Sequence, residues 1–168
     1  MCPNVQTDLQ SPYRTLIEKL REQASTIARL SSGLDEAALS CRVVEGKWSL
    51  IELVCHLWRV QRVFECRVIQ MLESDNPQVE PYDPDQDPEF ERLLATGPAR
   101  LKEGFAEERE KMLSKLEALD AAAWVRPGRH RKYPHYNVHF QIEYMVHHEA
   151  HHIYQMFQRR ALLGPIPE

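Results

Sequence analysis

Four stretches of the chain repeat apolar residues at helical spacing, and none alternates as a strand would. The first runs from about Ser11 to Ser32 and aligns Tyr13, Leu16, Leu20, Ile27 and Leu30 on one stripe. Ser11 and Pro12 offer an N-cap and a first-turn proline, and Gly33 a stop. A short helical turn around Asp35 to Ser40 follows. The second long helix is predicted from Ser49 to about Ser74, after the Gly46-Lys47-Trp48 turn. Ser49 with Glu52 three residues on is a capping box, and Leu50, Leu53, Leu57, Val60, Phe64, Val68 and Met71 form the buried stripe. The third helix covers about Glu89 to Leu119, interrupted at Gly97-Pro98, with Leu101, Phe105, Met112, Leu116 and Leu119 inward. The fourth runs from an Asn137 cap to about Leu163 and is closed by Gly164-Pro165.

The connections set the topology. Asp75 to Pro88 holds four prolines and five acidic residues, too broken for helix and too polar for core. A segment of that length can carry the chain back along the bundle, so helices two and three run parallel, whereas the link between helices one and two permits antiparallel neighbours. The expectation is a single all-α domain over residues 1–168. It is a four-helix bundle, up-down-down-up, with a long Pro-rich crossover between helices 2 and 3 that offers itself as a substrate lid as well. A second loop covers about Asp120 to Tyr136, and the charged stretch Glu107 to Lys115 reads as a solvated face.

Composition narrows the class. A chain of 168 residues that is 43% hydrophobic and 27% charged can bury a core without disulfides. Its 21 Lys and Arg against 25 Asp and Glu give a formal charge of −4, which offers no general attraction to nucleic acid or anionic membrane. No apolar run is long enough to span a bilayer, and MCPNVQTDLQ lacks the basic and apolar regions of a signal peptide, so a cytoplasmic protein is expected. Cys2, Cys41, Cys55 and Cys66 form no C-x-x-C unit and are expected as free thiols, with Cys55 and Cys66 projecting away from the apolar stripe. Trp48, Trp58 and Trp124 are expected as core and boundary anchors.

Chemistry concentrates in the histidines. Of eight, five lie between His139 and His152, four of them in the run HHEAHH. At about 100° per residue, His148 and His152 fall on or beside the face of Val138, Ile142, Met145, Met156 and Leu163, while His147 and His151 face the opposite side. The i, i+4 spacing puts His148 and His152 one turn apart, able to share an ion. Two inward imidazoles without polar partners are costly to bury, and a metal removes that penalty. His56 supplies a third ligand from the flank of the second helix's stripe, a position that points toward a helix seam. His130 and His135 sit in a loop beside Arg126, Arg129, Arg131 and Lys132, a cluster able to attract an anionic group, although a solvated loop also accounts for it. His139, in the first turn of the last helix, is placed to line the mouth of the site.

His148-Glu149-Ala150-His151-His152 also reads as H-E-x-x-H, in which Glu149 would act as general base on metal-bound water. The predicted bundle has no strand to bind an extended peptide, and no His or Glu follows His152 except Glu168, so a peptidase is not expected. Glu149 is kept as a catalytic or outer candidate.

The segments KWSLIELVCHLWRVQRVFECRV and MVHHEAHHIYQM, with the loop between the middle helices, resemble the DinB/YfiT-like superfamily of metalloenzymes over roughly Leu16 to Leu163. The most specific parts are Trp48-Ser49 followed by Glu52 and His56, and the His148/His152 pair followed by Gln155. The resemblance implies a four-helix bundle, a homodimer, and a zinc, nickel or similar divalent ion on His56, His148 and His152, with Glu52 and Gln155 as outer partners. Many relatives carry acidic residues shortly after the first ligand, where this chain has Arg59 and Gln61. Some relatives are transferases and isomerases using low-molecular-weight thiols such as bacillithiol and mycothiol. The resemblance therefore implies thiol transfer to a small electrophile, with metal-dependent hydrolysis as the alternative. A stress-related protein that binds metal without turnover is the competing class.

Overall fold

The computed structural model describes residues 12–168, so the expected Ser11 cap and Cys2 lie outside the described residues. The long helices are α1 (Pro12–Leu30), α3 (Leu50–Glu73), α5 (Pro98–Glu117) and α7 (Val138–Leu163), with α2 (Glu36–Ser40), α4 (Pro88–Leu94) and α6 (Ala121–Trp124) in the connections. The start signals act as the sequence predicts. Ser49 and Glu52 form the reciprocal capping box of α3, and Asn137 accepts from the Phe140 amide at the start of α7.

The bundle is all-α and runs up-down-down-up. Antiparallel α3 and α7 meet from Arg159 Nε on the Trp48 carbonyl to Phe64 beside Tyr144 at 5.6 Å. Parallel α1 and α7 meet from Tyr13 beside His139 to Gln23 donating to the Val146 carbonyl at 2.9 Å. Parallel α3 and α5 meet from Trp58 on Glu108 at 2.7 Å to Lys115 on Glu65 at 2.5 Å.

Two apolar clusters fill the interior. One gathers Leu16, Leu20, Val60, Phe64, Met112, Val138 and Val146; the other gathers Ile27, Leu53, Leu57, Trp58, Leu101, Phe105 and Met156. Arg109 crosses the interior between them, donating to Glu149, to Gln61 Oε1 at 2.7 Å and to the Leu20 carbonyl at 2.9 Å. The Glu107–Lys115 stretch is therefore not one solvated face. Arg109 falls on the stripe of Phe105, Met112 and Leu116, and is fully buried because Glu149 compensates it.

The crossover also differs from expectation. Val79 is fully buried and its amide donates to the Arg129 carbonyl at 2.9 Å, pinning the crossover to the second loop. Arg59 holds Asp87 through both carboxylate oxygens, at 2.7 and 3.1 Å, and Tyr82 donates to the same group at 2.9 Å. Burial pushes the Asp87 carboxyl up, but Arg59 and Tyr82 hold it below the usual range. The crossover is thus an anchored wall, with only Pro84–Gln86 in a 3-10 turn before α4. Cys55 is buried, not turned to solvent, because α4 covers that side of α3 and its Phe90 carbonyl accepts from the thiol at 3.5 Å. Burial pushes its pKa up to about 12. Trp58 and Trp124 are fully buried. No helix of the described residues is long and apolar enough to cross a membrane.

Candidate metal centre

His56 stands in the second turn of α3, and His148 and His152 on consecutive turns of α7, where the two antiparallel helices pack. The ring nitrogens converge. His148 Nε2 is 3.4 Å from His56 Nε2 and 3.2 Å from His152 Nε2, and one nitrogen from each ring lies within 4.8 Å of the others. Burial, reinforced by the neighbouring imidazoles, pushes His56 down to about 3 and His148 to about 4. Burial also lowers His152, against the opposing pull of Gln155. All three are neutral at pH 7, so their lone pairs face one another with no charge between them. One proton can bridge two such nitrogens but cannot satisfy three, whereas a divalent cation can accept all three lone pairs. The donor set fits zinc, nickel, copper or iron.

The surroundings fix the rings unequally. Gln155 Oε1 accepts from His152 Nδ1 at 2.9 Å, which leaves Nε2 as the free lone pair. Its amide nitrogen in turn contacts His151 Nε2 at 3.0 Å. His151 faces outward, as the helix phase predicts, yet steadies Gln155. His147, also exposed, pairs with Glu143 at 3.4 Å. Nδ1 of His56 and of His148 is buried without a partner. Trp48 packs against His56 with ring centroids 4.8 Å apart, closer to the centre than its expected anchoring role implied.

The structure brings His56, His148, His152 and Gln155 together and sends the two acidic candidates elsewhere. Glu52 spends its carboxylate on Arg42 and on the Ser49 amide, at 2.8 Å, capping α3. Glu149 is 1% exposed and faces Arg109 with both oxygens, away from the cleft at the centre. Burial pushes its carboxyl up and the Arg109 charge opposes this. His139 sits against Tyr13, with centroids 5.6 Å apart, and is not among the residues of the cleft.

A cavity of about 680 Å³ opens from His56 and His148 along Phe64, Tyr144, Tyr133 and Tyr136, with Pro81, Tyr82 and Pro84 of the crossover as one wall. Sequence reasoning missed this aromatic cleft. Tyr144 lies one helical turn before His148, and that spacing was the available signal. Arg67, His130, Arg131 and Lys132 also line it.

Among known proteins, the structure of YfiT from Bacillus subtilis, described as a probable metal-dependent hydrolase with an unusual four-helix bundle topology, is similar at a TM-score of 0.78 and 17% identity, covering 98% of this chain and 94% of that one. No curated protein sequence gives a significant match. The model of the DinB superfamily matches residues 19–156. With that match covering the imidazole trio and reaching into all four long helices, the chain belongs to the DinB superfamily.

Proposed function

We propose that this chain is a metal-dependent enzyme that holds a divalent ion on His56, His148 and His152 and transfers a low-molecular-weight thiol to a small electrophile. The observation that carries the reading is the convergence of three neutral Nε2 atoms at the head of an aromatic cleft. A three-nitrogen set leaves a coordination position open, as catalytic sites do. When bound, the ion would supply Lewis acidity that makes a thiol or water acidic near neutral pH. Gln155 holds the Nδ1 proton of His152 and so keeps its Nε2 available. Trp48 covers His56, and Phe64 and Tyr144 shield His148 from bulk water, at 6.0 and 6.3 Å between ring centroids.

Thiol transfer is favoured over hydrolysis because, among the described residues, no carboxylate lines the cleft. A carboxylate near the ion would serve as general base for water attack and as acid for the leaving group, whereas a thiol, already more acidic than water, becomes an anionic nucleophile with less help. Metal-dependent hydrolysis is the second reading, supported by the description of YfiT. Tyr154, Phe157 and Leu162, exposed along the last turns of α7, support a homodimer through that helix.

The test is elemental analysis of the purified protein, then thiol conjugation and ester hydrolysis with a panel of thiols and electrophiles. Stoichiometric metal that His148→Ala removes, with turnover only when a thiol is present, is the expected result. Protein without stoichiometric metal, and unaffected by His148→Ala, would refute the reading. Metal without turnover of any thiol or ester would favour a binding protein.

A further inference from the structure

The end of the cleft away from the imidazoles carries positive charge that nothing in the proposed chemistry uses. Arg67 is 8% exposed, donates to the Glu80 carbonyl and lies with Cζ 5.5 Å from the Phe64 ring. Among the described residues it meets no carboxylate. Of the crossover's acidic side chains, Asp75, Glu80, Asp83 and Asp85 are exposed and Asp87 is taken up by Arg59 and Tyr82, and none lines the cavity. A guanidinium buried without a counter-ion is costly, so the site is built for an anion that arrives from outside.

Three further groups point the same way. His130 Nδ1 accepts from the Lys132 amide at 3.1 Å, which leaves the proton of the neutral ring on Nε2 as a donor. Arg131 and Lys132 line the same wall from an exposed loop. Gln141, 1% exposed and also lining the cavity, gives its Oε1 to the Tyr136 hydroxyl and leaves its amide Nε2 without a partner. Cations and donors thus gather at one end of the cleft, where no carboxylate of the described residues meets them. Aromatic rings link them to His148: Phe64 lies against both Arg67 and His148, and Tyr144 sits 6.0 Å from Tyr133 and 6.3 Å from His148.

We propose that Arg67, His130, Arg131 and Lys132 form an anion subsite that takes the carboxylate or phosphate end of a small substrate whose apolar or aromatic body lies along Phe64 and Tyr144. The subsite deepens the proposed function, resting on this cleft as the substrate cleft. It confines the substrate to monoanions or dianions with a flat or apolar body, presenting the far end to the imidazoles. Arg67 sets the register, since its planar fork is held by the Glu80 carbonyl and by Phe64.

Calorimetric titration of the purified protein with phenylacetate, phenyl phosphate and the neutral phenylacetamide tests this. Both anions are expected to bind, and the tighter one identifies the group the subsite prefers. Phenylacetamide should bind about tenfold or more weakly than phenylacetate. Arg67→Gln should weaken anion binding by about tenfold, and Arg131→Gln/Lys132→Gln, on the exposed loop, by about threefold. Equal binding of phenylacetamide and phenylacetate overturns the proposal, as does anion binding that survives the arginine and lysine changes. If circular dichroism shows Arg67→Gln unfolded, the loop double variant decides. Metal content measured on the same samples keeps the two readings apart: anion binding without metal refutes the proposed catalysis and leaves the subsite standing.

Discussion

Removing one partner of the Arg109–Glu149 pair is expected to cost stability and to leave the metal centre intact. Both side chains are sealed, at 0% and 1% exposure, and the guanidinium also donates to Gln61 and to the Leu20 carbonyl. Glu149→Gln keeps the shape but leaves Arg109 as an uncompensated buried charge, a loss of about 3–5 kcal/mol. With a urea slope of about 2 kcal/mol per molar, the midpoint should fall by roughly 2 M. Arg109→Met should cost as much or more, because Gln61 Oε1 and the Leu20 carbonyl are then orphaned. Arg109→Met/Glu149→Gln removes both charges, so its loss should be well below the sum of the singles, with a coupling of about 2–3 kcal/mol. The assay is equilibrium urea unfolding of the four proteins, with metal content measured alongside. If Glu149→Gln unfolds at the wild-type midpoint yet loses metal or turnover, Glu149 belongs to the centre and the assignment here is wrong.

Other outcomes follow from the same geometry. Gln155→Leu removes the acceptor on His152 Nδ1 and should weaken metal binding by about 10–100-fold in a competition titration, with little change in the urea midpoint. Gly104→Ala should destabilise by about 1–3 kcal/mol, since its Cβ would meet the buried Trp58 ring at 2.2 Å, and the tryptophan emission should shift with it. In metal-free protein, His56 and His148 titrate near 3 and 4 when folded and near 6.5 when unfolded. The unfolded chain then takes up protons first, so stability is full above pH 6.5 and falls as the pH drops toward 4. At pH 5 each imidazole should account for a loss of about 2 kcal/mol. A midpoint that falls no further between pH 7 and pH 5 than that of His56→Phe/His148→Phe would contradict those shifts.

The fold was legible because its signals are local. Ser49 with Glu52, Asn137, Gly97-Pro98 and the stripes of α1, α3, α5 and α7 mark starts, breaks and buried faces within a few residues of one another. The prolines of the crossover excluded helix, which with its length implied parallel α3 and α5. What could not be read was where that crossover would lie. Val79 and Asp87 are held by Arg129 and Arg59, both distant in sequence, and nothing local distinguishes a tethered loop from a solvated one.

The site was legible for the same reason and failed at the same boundary. His148, His152 and Gln155 share one helix, so spacing alone aligns them, and His56 was placed by the flank it occupies. Glu149 looked like a catalytic group because its spacing to the histidines is that of H-E-x-x-H. Its actual partner, Arg109, lies forty residues away on a diagonal helix. Both charges stand on the apolar stripes of their own helices, between Phe105 and Met112 and between Met145 and Met156, and a charge of each sign on facing stripes is the signal that pairs them. They occupy the gap between the two apolar clusters, at the level of the imidazoles. The bundle therefore carries one polar layer across its middle. In the interior half, charge is cancelled by charge. In the half that opens to the cleft, three neutral imidazoles turn ring nitrogens toward one another, and no carboxylate of the described residues stands among them. That asymmetry separates Glu149, neutralised in the core, from the histidines, which are left open to the cleft.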